Sequence, residues 1–200
     1  MEKILCICGD SIVWGAGDAE GGGWADRLKI YYHNVDTEIE VYNLGVSGDT
    51  TDDLLERFDT EVRARSGTIA LFAIGINDAQ FIDGGAEARM TEADFRANVN
   101  DLITAAQERE MQIGFIGLTR VDESKTRPIP WRPDKHYTNE RISLFDGIIK
   151  DVCEQKELPY LDVSEVLEAA DMPDGLHPNA LGYGKLVSAI LPFLEARFGL

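Results

Sequence analysis

Five short apolar segments alternate with longer segments of helical periodicity along this chain. The apolar segments are rich in β-branched or aromatic residues and end near Gly, Asn or Asp, as buried strands do. They cover residues 3–8, 39–44, 68–75, 112–118 and 159–163. Helical periodicity covers residues 23–34, 50–66, 91–110 and 138–157, and a last helix is predicted with Pro178 in its first turn and an end near Phe198.

The strand segments are apolar at nearly every position rather than at every second one. A strand of this kind is buried on both faces, which favours a parallel sheet covered by helices on either side. We therefore predict an α/β fold with three layers, α/β/α, around a five-stranded parallel sheet.

The composition is that of one folded domain with a large core. Hydrophobic residues make up 44% of the 200 residues, enough for a single domain over residues 1–200. The 19 basic and 36 acidic residues give a net charge of −17, and a field of this sign repels nucleic acids and anionic membrane surfaces. We expect neither as a partner, while a homo-oligomer stays open.

No targeting or membrane segment is visible in the sequence. The chain opens with MEKILCIC before Gly9, which is too short for the hydrophobic region of a signal peptide. No apolar run approaches the ~18 residues needed to span a bilayer. We expect a cytoplasmic protein without a membrane span.

The cysteines and histidines do not form a metal-binding pattern. Cys6 and Cys8 alternate within one strand, so their side chains lie on the same sheet face and are expected to be core residues, as is Cys153. The three histidines are scattered along the chain and give no ligand cluster. We expect neither a metal nor a cofactor.

Polar, glycine-rich segments follow the first three predicted strands. They are Gly9-Asp10-Ser11, the segment NLGVSG at 43–48 and GIND at 75–78, and a fourth polar segment, DGLH at 174–177, precedes the last helix. In open parallel sheets ligands bind beyond the carboxyl ends of the strands. We therefore expect these segments to meet at one site.

These segments supply each part that acyl transfer requires. The reaction needs a nucleophilic hydroxyl, an imidazole base, a carboxylate that orients the imidazole, and donors for the oxyanion. Ser11 is the candidate nucleophile, His177 the general base and acid, and Asp174 the carboxylate. The candidate oxyanion donors are the backbone N–H groups of Ser11 and Gly45 and the side-chain amide of Asn77.

The four segments, in this order, resemble the blocks of the GDSL, or SGNH, hydrolases over nearly the whole chain. The resemblance implies a flavodoxin-like three-layer sandwich that hydrolyses esters or thioesters without metal or cofactor. By position it gives Ser11, Gly45, Asn77 and His177 the four named roles and adds Asp174. One departure is GDSIVWG, with Val13 and Trp14, where many members have GDSIT; it leaves the shape of the acyl pocket open and does not touch the catalytic groups.

Other polar residues near these blocks have ordinary structural explanations. Asp162, at the end of the fifth predicted strand, is an alternative to Asp174 as partner of a histidine. Structural or solvated roles are expected for the remaining candidates, with Asp10 and Asp78 as loop braces, Ser47 as a turn residue, and His33 and His136 outside the site.

The segment RVDESKTRPIPWRPDKH, residues 120–136, is long and locally basic. It contains three prolines, one tryptophan and five basic residues against three acidic ones. Because it follows the fourth strand it should overhang the site, so it is either a lid or specificity loop or only a surface excursion. Trp14 and Trp24 are candidates for an acyl pocket, although a core position suits Trp24 better.

Two other functions fit parts of the sequence. A nucleotide- or flavin-binding module would use the same kind of sheet, but Gly15-Ala16-Gly17 lies too far beyond the strand and lacks the third glycine. No GKS or GKT is present for a phosphate loop. An acyltransferase would use the same triad. The predicted substrate is a small-molecule acyl ester or thioester with a small or medium acyl group.

Overall fold

A computed structural model describes residues 3–35 and 38–200. Its main sheet is parallel throughout and has the strand order β2-β1-β3-β6-β7. These strands are β1 Lys3–Gly9, β2 Ile39–Gly45, β3 Ile69–Ala73, β6 Gln112–Ile116 and β7 Tyr160–Leu161. A separate antiparallel pair consists of β4 Phe81–Ile82 and β5 Glu87–Ala88. The predicted fold class is confirmed.

Helices cover both faces of the sheet. They are α1 Ser11–Trp14, α2 Gly23–Val35, α3 Thr51–Ala64, α4 Glu92–Glu108, α5 Glu123–Thr126, α6 Asn139–Gln155 and α7 Ala180–Phe198. Helices α2 and α7 pack on the face that carries Leu5 and Ile7, whereas α3, α4 and α6 pack on the face that carries Cys6 and Cys8. The result is the three-layer α/β/α arrangement.

The strict alternation in β1 explains how one strand serves two cores. Leu5 and Ile7 belong to the cluster that contains Trp24, and Cys6 and Cys8 belong to the opposite cluster. All of these side chains are essentially inaccessible to solvent. Burial raises the pKa of Cys6 to about 11 and raises that of Cys8 further, so both thiols are protonated core groups, as predicted.

Element boundaries differ from the sequence-based prediction at several places. The fifth strand is reduced to Tyr160–Leu161, because it pairs only with the last two residues of β6. The last helix begins at Ala180, since the side chain of Asn179 accepts from Gly182 N–H as its N-cap, and Pro178 lies before the cap. The short elements α1, α5, β4 and β5 were not predicted.

The sheet order sets the position of the functional residues. Strand β1 lies between β2 and β3, so Gly9 pairs with Gly45 on one side and with Ala73 on the other. The second and third strands thus lie on opposite sides of the first. Such a switch point leaves a crevice at the carboxyl ends of the strands. The loops after these three strands therefore leave the sheet side by side. No helix within residues 3–35 and 38–200 is long and apolar enough to cross a bilayer.

Candidate active site

Ser11 is the first residue of α1, directly beyond the end of β1. Asp10 caps this short helix by accepting from the N–H of Ile12 at 2.9 Å. The Ser11 side chain is largely buried, with 8% of the residue exposed. As the first helical residue, Ser11 has a backbone N–H with no intrahelical acceptor, and no other acceptor for it is found within residues 3–35 and 38–200.

His177 lies between Ser11 and Asp174. Its Nε2 is 3.0 Å from Ser11 Oγ, and its Nδ1 is 2.8 Å from Asp174 Oδ2. An ionised carboxylate can only accept hydrogen bonds, so Nδ1 carries the ring proton and Nε2 presents its lone pair to the serine hydroxyl. In this tautomer the ring can accept a hydrogen bond from the Ser11 hydroxyl.

Asp174 is held in its ionised form by the residues that follow it. Burial disfavours the charge, but hydrogen bonds from the His177 ring and from the N–H groups of Leu176 and His177 outweigh burial and lower the pKa of the carboxyl. Asp162, the alternative considered from sequence, instead accepts from the N–H and hydroxyl of Ser164. The structure thus brings Asp174, and not Asp162, to the histidine.

The side-chain amide of Asn77 is fixed on both of its ends. Nδ2 donates to the backbone oxygen of Asp49 at 2.9 Å, and Oδ1 accepts from the Tyr137 hydroxyl at 2.8 Å. One of the two amide hydrogens is thereby used and the other is left to donate. Asn77 is 4% exposed, so its remaining donor is sheltered from water.

The backbone N–H of Gly45, a candidate oxyanion donor from sequence, already has an acceptor. It donates to the Asn43 side chain at 3.0 Å, so it is already occupied within its own segment. A Cβ at this position would lie 2.2 Å from the backbone nitrogen of Trp14. The absence of a side chain therefore serves the packing of β2 against α1 rather than the approach of a substrate.

Gly48, three residues on, has the properties that were expected of Gly45. Its φ of +92° turns the chain in the left-handed region, and a Cβ there would meet nothing within 4 Å. Within the described part of the chain, the Gly48 N–H has no acceptor. The backbone oxygen of the next residue, Asp49, accepts from Asn77 Nδ2, which brings the Gly48 segment close to the amide.

Arg57 of α3 ties the first two strand ends together. Its Nε donates to Asp49 Oδ2 at 2.8 Å, and its second terminal nitrogen donates to the backbone oxygens of Gly9 and Leu44 at 3.2 and 2.9 Å. The guanidinium thus holds the segments after β1 and β2 in one arrangement. Sequence analysis missed Arg57, since it lies within an ordinary amphipathic helix.

Residues 120–136 contact the site and are anchored at several points. His136 and Phe81 exchange two backbone hydrogen bonds of 2.9 Å. The indole of Trp131 stacks on the His177 ring, with centroids 5.6 Å apart and an interplanar angle of 26°, and is 47% exposed. The segment is therefore part of the wall around the site, rather than a surface excursion.

Two buried carboxyls brace the loops without joining the histidine. Asp78 accepts from the N–H of Thr51 at the start of α3, and burial raises its pKa to about 6. Asp10 is also buried, and burial raises its pKa to about 7 against the lowering effects of the Ile12 N–H and His177. Both fit the bracing roles predicted from sequence.

The remaining sequence candidates lie at the edge of the site or outside it. Ser47 is in a turn, His33 is on the surface of α2, and Trp24 is in the core with 2% exposure. Val13 is also fully buried, so it does not shape an acyl pocket, whereas Trp14, three residues after Ser11, is 57% exposed. Of the two residues that differ from the usual GDSIT block, Trp14 therefore remains a candidate for the acyl pocket.

Comparison with known proteins defines the class of this chain. The profile of the GDSL-like Lipase/Acylhydrolase family matches residues 7–185, so the chain belongs to this family. It is therefore a carboxylic ester hydrolase of the GDSL type. This membership disfavours the flavin- or nucleotide-binding alternative. No curated protein sequence matches the chain.

Several solved structures share the fold at low sequence identity. A lipase/acylhydrolase from Enterococcus faecalis is 24% identical with a TM-score of 0.79, covering 98% of this chain and 96% of the other. An acetyl xylan esterase from Geobacillus stearothermophilus is 20% identical with a TM-score of 0.74, covering 96% and 94%. An esterase from a Pseudoalteromonas species is 18% identical with a TM-score of 0.72, covering 96% and 99%. At these identities the likeness shows the fold.

Proposed function

We propose that this protein hydrolyses a small or medium acyl ester or thioester through an acyl-enzyme intermediate on Ser11. The observation that carries the proposal is the continuous chain from Ser11 Oγ through His177 to Asp174, with distances of 3.0 and 2.8 Å. A serine hydroxyl is a weak nucleophile unless a base accepts its proton, and this geometry supplies the base in the required tautomer.

In the first half of the reaction, Ser11 Oγ bonds to the carbonyl carbon while its proton passes to His177 Nε2. The carbonyl oxygen becomes an oxyanion, and the bond to the leaving oxygen or sulfur then breaks. The leaving atom takes the proton from Nε2, and the acyl group stays on Ser11. In the second half, water gives a proton to Nε2 and attacks the acyl carbon, and Ser11 regains its hydrogen as the acid leaves.

The oxyanion is proposed to bind three donors. They are the Ser11 N–H, the free hydrogen of Asn77 Nδ2, and the N–H of Gly48. Gly48 takes the place of Gly45 in this proposal because the Gly45 N–H is bound to Asn43 Oδ1. Fixed donors in a sheltered site stabilise developing charge without reorganising at the moment of reaction.

A hydrolysis panel tests the activity and narrows the substrate. p-Nitrophenyl esters of rising acyl length and acetylated sugars are offered to the wild type and to Ser11→Ala, with the released acid and alcohol both measured. We expect turnover of the shorter esters, equal amounts of acid and alcohol, and a loss of several orders of magnitude in Ser11→Ala. Unchanged turnover in Ser11→Ala contradicts the proposal, and a shortfall of acid when an alcohol acceptor is added indicates acyl transfer.

A further inference from the structure

The oxygen end of the Asn77 amide is bound by a tyrosine from outside the four sequence blocks. Tyr137 Oη lies 2.8 Å from Asn77 Oδ1, and Gln80 Nε2 lies 2.6 Å from Tyr137 Oη. An amide NH₂ group only donates, so the tyrosine hydroxyl accepts from Gln80 and donates its own hydrogen to Asn77 Oδ1. The direction of this short chain of hydrogen bonds is therefore fixed.

We infer that Tyr137 is a positioning residue for ester hydrolysis, holding the Asn77 amide so that its free N–H points at the oxyanion. This inference rests on the proposed function. Without Tyr137, the amide would keep a single hydrogen bond from Nδ2 to Asp49 and could rotate about it. A donor that is not aimed beforehand loses much of its effect on the transition state.

The position of Tyr137 is itself well determined. Its backbone N–H donates to Thr126 O at 3.0 Å, and the Thr126 hydroxyl donates to Tyr137 O at 3.1 Å. Tyr137 is 2% exposed, and Gln80 and Thr126 are completely buried. The hydroxyl is thus presented from a rigid support next to the bridge between His136 and Phe81.

The phenol is suited to act as a permanent donor. Burial, together with the nearby Asp10 carboxyl, raises the pKa of Tyr137 far above neutrality. It therefore keeps its proton across the working range of the enzyme. No transfer of that proton is needed, since the role is to orient Asn77 and not to touch the substrate.

The segment 120–136 thereby gains a definite function. It follows β6, carries Trp131 to the His177 ring, and leads directly to Tyr137, two residues before α6 begins. Two side chains of the proposed machinery, His177 and Asn77, are thus contacted from this one stretch of chain. Tyr137 is distinguished by its hydrogen bond to a proposed oxyanion donor.

The test is a double-mutant cycle on kcat and KM with Tyr137→Phe and Asn77→Ala. We expect Tyr137→Phe to lower kcat about tenfold and to change KM less than about twofold, because a transition-state donor is weakened while substrate binding is kept. In the Asn77→Ala background the same change should cost less than about twofold, since the amide it orients is gone. Tyr160→Phe, which loses a tyrosine hydrogen bond to Asp146, is the matched control and should keep kcat.

The outcomes separate this inference from the proposed function. Equal losses from Tyr137→Phe in both backgrounds, or no loss in either, overturn the positioning role. A wild-type kcat in Asn77→Ala overturns the oxyanion arrangement itself. If Tyr137→Phe does not fold, Gln80→Met removes the donor to the tyrosine and must lower kcat in the wild-type background but not in Asn77→Ala.

Discussion

Ser11 Oγ lies 3.0 Å from His177 Nε2, although 166 positions of sequence separate the two residues. The contact depends on the fold, because Ser11 lies just beyond β1 and His177 lies three residues before α7, which packs beside α2 on one sheet face. Two elements distant in sequence thus meet at the carboxyl edge of β1. The predictions below follow from this arrangement and from the groups that support it.

Replacing Asp174 with asparagine should lower kcat by about 10³- to 10⁴-fold. The oxygen of the new amide would take the two backbone N–H bonds now accepted by Asp174 Oδ1, which turns the NH₂ group toward His177. The histidine would then hold its proton on Nε2 and could not accept one from Ser11. Steady-state kinetics on the best ester of the panel measures the effect.

Asp162→Asn is the matched control for that change. Among the residues that the structure describes, Asp162 accepts hydrogen bonds from Ser164 alone, so this variant should keep kcat within about twofold. If Asp162→Asn were the variant that lost turnover while Asp174→Asn kept it, the assignment of the histidine's partner would be wrong.

The Gly45→Ala variant should be less stable than the wild type, without a selective loss of kcat. The added Cβ would lie 2.2 Å from Trp14 N, which is backbone and cannot move aside without shifting α1. Overpacking of this kind costs about 1–3 kcal/mol or more. Thermal unfolding of the variant measures the loss, and Gly184→Ala, where a Cβ meets nothing within 4 Å, is the control. A variant of normal stability with a large loss in kcat would return the oxyanion role to Gly45.

Asp10→Asn should stabilise the protein at alkaline pH. The pKa of Asp10 is about 7 in the folded state against about 3.9 when unfolded, so the folded state binds the extra proton between these values. Stability therefore falls as pH rises through this window. An amide at this position keeps the oxygen that accepts from Ile12 and carries no charge beside His177, Asp78 and Asp49, the charged groups that affect Asp10.

The free energy of unfolding, measured in urea at pH 4 and pH 8, tests this. The Asp10→Asn variant should match the wild type at the lower pH and exceed it at the higher one by roughly 2–4 kcal/mol. Asp162→Asn should show no such gain, because hydrogen bonds from Ser164 lower the pKa of Asp162. A difference independent of pH would show that burial of Asp10 does not penalise its charge.

Trp131→Ala should lower kcat several-fold by releasing one face of the His177 ring. Asp174 would still fix Nδ1, but the ring would lose its stacking partner and become more accessible to water. Stacked aromatic pairs contribute about 0.5–1.5 kcal/mol beyond the area they bury. Trp131→Phe should retain most of the activity, and an Ala variant with unchanged kcat on every ester would contradict this role of the indole.

The sequence predicts the order of strands and helices because each element carries its own periodicity. It also predicts the contact of Ser11, His177 and Asp174, since each is next to a glycine-rich block at a strand end or before the last helix. It does not indicate which of the two glycines, Gly45 or Gly48, has a backbone N–H available as an oxyanion donor. Both are glycines in one segment, and the difference lies in a hydrogen bond from Gly45 to the Asn43 side chain.

The roles of the supporting residues could not be predicted from sequence for a different reason. Each of these residues contacts a partner far away in sequence: 48 positions for Arg57, 60 for Tyr137 and 46 for Trp131. None of the three lies in one of the four sequence blocks. Periodicity places Arg57 on a helix and places Trp131 in a loop, but it does not say which side chains they meet. Those pairings depend on how the segments that follow β2, β3 and β6 pack against one another and against the other strand ends, which only the folded chain defines.

The most direct measurement of the central claim is the site of covalent labelling by a fluorophosphonate, read by peptide mass spectrometry. We expect a single adduct on Ser11 in the wild type, none in Ser11→Ala, and slower labelling in His177→Ala because the hydroxyl loses its base. An adduct on another serine, or equal labelling of Ser11→Ala, would contradict the assignment of the nucleophile.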